Sequence, residues 1–377
     1  SPPNEGDMSE PLLRENWLCR DGVLRRPLGT ERAITNLFDG IPRWTGRYYS
    51  LEAGVTQPKT FVYTEDGKLW IINELAQTAT SISTTIKQNV YPKHQLFKTS
   101  NQTKLFFVDG RSLFRFDGNN DNIFEQLVIL DTDGNNINPI DVIEHKDRLW
   151  LISDTDLFVS KNLEPEVFND ATDSLQIIVG SGRGTNMALA KLEDRLYILN
   201  TQGIFIVEGD VISALASTFE VVLADERKCI ASRSVTIVEK AIVFLADDYE
   251  IWSFDGSSSE MLTYKLKLKD SISTVRTLLD KAVSTYFNNY YMLSFVEKGE
   301  VEPDLELWWD ALENKTDIIR GRNVSCYLDI DPAKENDFLQ TGNHSARSIM
   351  WCDRNYNFDG SAIVTRIRTR DITPKKG

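Results

Sequence analysis

Short apolar phrases recur along the chain, each framed by polar turns. Gly67-Lys68-Leu69-Trp70-Ile71-Ile72-Asn73 is echoed by Thr103-Lys104-Leu105-Phe106-Phe107-Val108-Asp109. Asp147-Arg148-Leu149-Trp150-Leu151-Ile152-Ser153 and Asp194-Arg195-Leu196-Tyr197-Ile198-Leu199-Asn200 are closer copies still. Looser ones begin at Lys240 and Asn289. The apolar anchors are Leu69, Leu105, Leu149, Leu196, Ile242 and Tyr290, spaced by 36, 44, 47, 46 and 48 residues. After an anchor comes a polar turn and a second strand-like run. Asp109-Gly110-Arg111-Ser112 leads into Leu113-Phe114-Arg115-Phe116, and Asn200-Thr201-Gln202-Gly203 leads into Ile204-Phe205-Ile206-Val207. β-branched and aromatic runs joined by such turns predict hairpins. Asp117-Gly118, Glu208-Gly209 and Asp255-Gly256 supply further turn dipeptides.

A further strand candidate precedes several anchors: Gln95–Lys98, Asp141–Glu144 and Met187–Ala190. Three or four strands per period make a sheet that cannot bury both faces alone, and stacking such sheets around an axis does so. A period of roughly 40 to 50 residues suits one propeller blade. The expected fold is therefore all-β, a β-propeller of six or seven four-stranded blades. Helical spacing is scarce, with one short candidate over Asp270–Lys281. Blade one is expected from Arg43 to Ser83. Ser348-Ile349-Met350-Trp351 is expected to be the inner part of a seventh blade, with completion of the sixth or departure from the ring as the alternative. The expected organisation is an N-terminal arm over 1–40, the propeller over 41–362, and an exit strand or the start of a further segment over 363–377.

Composition narrows the class. The 377 residues carry a net charge of −14, with 41% hydrophobic residues, enough for a sizeable core. No apolar run approaches the ~18 residues of a membrane-spanning helix. The acidic balance argues against a phosphate-neutralising surface. Arg20, Arg25, Arg26, Arg366, Arg368 and Arg370 form local basic clusters that read as solvated faces. Ser1-Pro2-Pro3-Asn4-Glu5 has neither the basic flank nor the apolar stretch of a signal peptide, and no Met begins the chain. That is expected of a processed or trimmed chain or a piece of a longer one. Cys19, Cys229, Cys326 and Cys352 are far apart, without a C-x-x-C pair, and read as buried thiols in a reducing compartment, with a single disulfide as the alternative.

Candidate chemistry is thin. His94, His145 and His344 are isolated, and no G-x-S-x-G elbow accompanies them. Gly180-Ser181-Gly182-Arg183-Gly184-Thr185 lacks the Lys-Ser/Thr and the helix of a phosphate loop, and reads as a flexible blade-to-blade connection. Asp131-Thr132-Asp133-Gly134-Asn135 matches the start of a calcium loop, but its glycine falls two positions early and no Glu ends the loop. Asp247-Asp248 and Glu302 with Asp304 are carboxylate pairs without visible placement, and Trp308-Trp309 reads as core strand rather than a sugar platform. No catalytic residue, cofactor or metal is expected, and the chain reads as a non-enzyme.

The opening is more particular. Asn16 in Leu12-Leu13-Arg14-Glu15-Asn16-Trp17 is followed by Asp21-Gly22-Val23-Leu24-Arg25-Arg26-Pro27-Leu28-Gly29-Thr30. With the blade phrasing, this resembles propeller-type structural proteins of tailed-bacteriophage virions: tail-hub, DNA-stabilisation or nozzle-like proteins of short-tailed phages. The matching residues are Asn16, Gly22, Arg26 and Gly29, where glycine would let the chain turn tightly into the ring. The one extra residue in Arg26-Pro27-Leu28-Gly29 departs from the usual Arg-Pro-Gly spacing.

The resemblance implies a structural role in a virion tail or head-to-tail junction. It implies homo-oligomeric rings, often sixfold, and contacts with tail, adaptor or portal-proximal proteins. Localisation would be the virion, with assembly in the bacterial cytoplasm. No sequence-specific nucleic-acid contact and no membrane span are expected. An acidic lumen would repel DNA and let it slide past. Two other classes share the fold. One is a glycan-active or glycan-binding propeller, marked by a deep axial pocket with convergent carboxylates and stacked aromatics. The other is a monomeric cellular protein-interaction propeller.

Overall fold

A computed structural model gives the fold. It describes residues 13–368 except 16–17, 21–22, 26–29, 50–57, 74–75, 83–85, 100–101, 119–121, 210–211, 214–215, 218, 264–265, 329–339, 353–356, 359–360 and 364–365. The opening-motif residues Asn16, Gly22, Arg26 and Gly29 lie outside the described residues.

The chain is a seven-bladed β-propeller of four-stranded antiparallel sheets. Blade 1 runs Pro42–Tyr48, Lys59–Thr64, Leu69–Asn73 and Thr78–Ile82, from axis to rim. The innermost strands of blades 2 to 6 are Lys93–Lys98, Asp141–His145, Asn186–Leu192, Thr236–Val238 and Val283–Phe287. Blade 7 is composite. Val324–Tyr327, Gln340–Asn343 and Ser348–Cys352 come from late in the chain, and Thr30–Arg32 supplies the fourth strand, with Met350 opposite Arg32 and Cys352 opposite Thr30. The ring therefore draws on residues on the N-terminal side of position 41.

Successive side chains on a strand point to opposite faces, and this rule builds the core. On the second strand of blade 2, Leu105 and Phe107 pack with Phe61 and Tyr63 of blade 1, while Phe106 and Val108 pack with Leu149 and Leu151 of blade 3. The same exchange links Trp150 and Ile152 to Leu196 and Ile198, Tyr197 and Leu199 to Ile242 and Phe244, and Val243 and Leu245 to Tyr291 and Leu293. Met292 and Trp308 then meet Val324 and Cys352, and Ala33, Ile34, Phe38 and Ile349 close the circle on Val62 and Ile72. Each fully buried Leu or Phe contributes roughly 1.5–3 kcal/mol by leaving water.

Several sequence expectations change. Leu69 lies on the third strand of blade 1, not the second. Phe61 holds the position that Leu105 holds in blade 2, which restores a 44-residue step in place of 36. Ser348-Ile349-Met350-Trp351 is the third strand of blade 7 rather than its inner part. The helix expected over Asp270–Lys281 shrinks to a short turn at Leu268–Asp270 and one helical turn, Arg276–Leu279. The glycine-rich segment is a blade 3 to blade 4 connection, in which Gly180 and Ser181 both adopt left-handed backbone. Cys229, Cys326 and Cys352 are buried free thiols.

Candidate functional site

The innermost strands enclose an axial cavity of about 500 Å³. Every blade contributes to its wall, through Trp44, His94, Asp141, Leu189, Thr236, Ser284 and Tyr327 in ring order. Runs of consecutive residues line it, such as Lys93-His94-Gln95 and Val283-Ser284-Thr285-Tyr286, and their polar groups bond across blade boundaries. Trp44 Nε1 donates to His94 Nδ1 at 3.1 Å. Lys93 Nζ donates to Asp141 Oδ2 at 2.6 Å, and the Leu189 backbone N–H donates to that oxygen at 2.8 Å. Thr236 Oγ1 and Ser284 Oγ are 2.5 Å apart. Thr45 Oγ1 donates to the Tyr327 carbonyl at 2.7 Å, and Ser325 Oγ to the Pro42 carbonyl at 2.6 Å. These bonds staple the blades together around the axis.

Charged groups collect at the end of the axis where the chain enters each innermost strand. Arg43 is second in its strand, and its buried guanidinium is bidentate with Glu302 of blade 6, at 2.7 and 2.8 Å. It also donates to Glu65 at 2.8 and 3.2 Å. Lys281 adds a second cation to Glu302. Burial works against both charges, yet the pairing wins: the Arg43 pKa rises above its ordinary value and that of Glu302 falls below it. His344 Nε2 lies 2.8 Å from the Pro303 carbonyl, and burial lowers its pKa.

Arg233, three residues ahead of its strand in blade 5, spans a chord of the ring. Its Nη2 donates to the carbonyls of Arg43 in blade 1, at 2.9 Å, and Ser325 in blade 7, at 3.1 Å. The Tyr91 ring lies 5.1 Å from the Arg233 guanidinium and 5.9 Å from that of Arg43. Burial pulls the Arg233 pKa down to about 10, which still leaves it cationic at neutral pH.

A second buried polar cluster joins blades 6 and 7. Tyr327 Oη donates to Glu306 Oε1 at 2.5 Å, the other Glu306 oxygen lies 3.3 Å from Arg322 Nε, and the Trp308 ring lies under the Arg322 guanidinium at 5.0 Å. Trp308 is thus a core residue, and Trp309 is half-buried beside it.

The other residues singled out in the sequence disperse. His145 is buried at the far end of its innermost strand, His94 lines the cavity and His344 lies on the charged face. Asp131 turns its carboxylate inward, with Oδ1 accepting the N–H groups of Asp133 and Asn135 at 2.9 and 2.8 Å. No group of three potential metal ligands occurs among the described residues. Among the described carboxylates, only Asp141 lines the axial cavity. Arg43, Tyr91, Lys93, Asp141 and Arg233 were not anticipated as a cluster. Their shared signal is a charged or aromatic residue at, or just ahead of, the start of an innermost strand.

No family model and no curated protein matches the chain. Among solved structures, it is similar to the computationally designed protein Ika8, with a TM-score of 0.46 and 12% identity over 86% of this chain and 100% of that one. It is also similar to PorZ of Porphyromonas gingivalis, an essential bacterial surface component of the type-IX secretion system, with a TM-score of 0.48 and 13% identity. That match covers 91% of this chain but 39% of PorZ. Among the described residues, no helix is long and apolar enough to cross a membrane.

Proposed function

We propose that this propeller is a structural component of a tailed-phage virion, a subunit of a ring or hub in the tail or at the head-to-tail junction. It acts through protein–protein assembly rather than catalysis, with neighbouring tail, adaptor or portal-proximal proteins as partners. The observation that carries this reading is the thickened rim. Leu13–Glu15 and Arg366–Arg368 extend blade 6 to six strands, and Asn357–Phe358 with Ser361–Ala362 extend blade 7 beyond its four. A propeller is complete with four strands per blade. Extra strands from both chain ends broaden one sector of the ring, and an outermost strand carries unpaired backbone groups for a neighbour to bond. The phage-like opening sequence and the net charge of −14 are consistent with this role.

The axial cavity has the size of a small-molecule site, so passage of DNA falls to the lumen of a ring of copies. Heterologous contacts between copies close into such a ring. Light scattering on the purified chain, alone and with candidate virion neighbours, tests the proposal. A closed multimer is expected. A monomer at every concentration and with every neighbour would overturn it.

A further inference from the structure

At the junction of blades 1 and 2, three rings close on one another. Phe61 meets Phe116 and Phe124 edge-on, with centroids 5.0 Å apart, and Phe116 stacks on Phe124 at 5.1 Å. All three are buried. Lys59 lies two residues before Phe61 on the same strand, and Asn122 two residues before Phe124 in the turn that leads to the rim strand of blade 2, Glu125–Leu127. Lys59 Nζ sits over the Phe116 ring, 5.3 Å from its centroid, and donates to Asn122 Oδ1 at 2.8 Å. Asp117 directly follows Phe116, and its carboxylate acts on the Lys59 charge. The Gln102 side-chain amide donates to the Asp117 carbonyl at 2.5 Å, which fixes the start of this turn.

An ammonium is not a nucleophile, but a lysine amine becomes one where apolar surroundings favour its neutral form. Burial lowers the Lys59 pKa and outweighs the Asp117 carboxylate, which favours the charged form. The electrophile is at hand. The amide carbon of Asn122 is one bond beyond the oxygen that Lys59 touches, and a side-chain rotation brings Nζ to the ~3–3.5 Å of a near-attack geometry.

We propose that Lys59 and Asn122 are a self-modification site, where the two side chains join in an intramolecular amide that ties blade 1 to blade 2. The Nζ–Cγ bond forms and the Cγ–Nδ2 bond breaks. Asp117 takes a proton from Nζ and passes it to Nδ2, which leaves as ammonia. No electrons are exchanged and no co-reactant is needed. The cross-link is independent of ring assembly.

Mass spectrometry of the intact, denatured chain tests this. The mass is expected to fall short of the sequence mass by one ammonia, and tryptic digestion should give a branched peptide that carries both Lys59 and Asn122. Lys59→Arg and Asn122→Ala should each match their own sequence mass. Asp117→Asn should slow bonding about a hundredfold and leave most of that chain unbonded; complete bonding there would remove Asp117 as the proton carrier. Wild-type chain at its full sequence mass after prolonged incubation would overturn the proposal. So would an ammonia deficit without the branched peptide, a result read on the wild-type chain alone, whether or not any variant folds.

Discussion

The side-chain amide of Asn36 bonds both backbone groups of Ala79, donating through Nδ2 to its carbonyl at 3.0 Å and accepting from its N–H at 2.9 Å. Asn36 follows the N-terminal strand of blade 7, and Ala79 sits on the rim strand of blade 1. The amide thus imitates one more strand residue and carries the pairing across the blade junction. Nearby, the Thr35 N–H donates to the Gln77 carbonyl and the Phe38 N–H to that of Arg347, at 2.8 and 2.9 Å. Removing both amide bonds by Asn36→Ala should cost about 1–3 kcal/mol, at roughly 0.5–1.5 kcal/mol per bond. Asn36→Asp keeps the acceptor but sets a carboxylate oxygen against the Ala79 carbonyl, so it should cost at least as much. Denaturant titration of the three chains gives the order directly.

Glu302 should govern part of the acid sensitivity. Its two cationic partners hold its pKa below the ordinary 4.5, against the opposing effect of burial. A carboxylate whose folded pKa is depressed stabilises the fold above the unfolded value, and that stability is lost as pH falls through the folded value. Glu302→Gln should lower stability at pH 7 by roughly 2–3 kcal/mol, as expected for losing charge-assisted bonds. The stability curve below pH 4.5 should flatten accordingly.

His145 acts in a separate window. Burial lowers its pKa to about 4, and its Nδ1 has no hydrogen-bond partner among the described residues. Between pH 6.5 and 4 the unfolded chain takes up a proton that the folded chain refuses, so stability falls as pH falls through that range. At about 1.36 kcal/mol per pH unit the full effect is at most roughly 3 kcal/mol. The His145 ring resonances should not titrate above pH 5, and His145→Gln should remove the slope.

Two glycines separate backbone strain from steric clash. Gly118 and Gly110 both have positive φ, +83° and +77°. A Cβ on Gly118 would lie 2.4 Å from the Tyr48 hydroxyl, which donates to the Thr103 carbonyl, whereas a Cβ on Gly110 meets nothing within 4 Å. Gly110→Ala should cost about 1 kcal/mol for left-handed backbone. Gly118→Ala should cost roughly 2–3 kcal/mol, adding the displaced hydroxyl and its lost bond. Thermal unfolding of the pair measures the difference.

The middle blades were legible because their second strands are buried on both faces and read as unbroken apolar runs, as in Leu149-Trp150-Leu151-Ile152. Blade 7 was not, because its second strand is Gln340-Thr341-Gly342-Asn343, fully buried but without a large apolar residue. Gly342 is there because a Cβ would sit 2.4 Å from Cys326 Sγ and 3.1 Å from Pro42. Close packing at the blade junction replaced the hydrophobic phrase. In blade 1 the third strand, Leu69-Trp70-Ile71-Ile72, copied the phrase and drew the anchor away from Phe61. The axial cluster was invisible for another reason. Arg233 reaches Arg43 across 190 positions, and no local pattern encodes a chord of the ring.

The composite seventh blade also sets an order of events. Thr30–Arg32 is synthesised long before its partner strand, Ser348–Cys352. Arg347, which donates to the Asp39 carbonyl, stands 308 positions away in the chain. Such distant contacts raise contact order and slow folding. While the strand waits, its bonding edge is open to the same segment of another nascent chain, and domain-swapped misassembly is the failure such topologies invite. The circle becomes a single cooperative body only once Ser348–Cys352 has been made, and any product that stops short of it must remain an open arc.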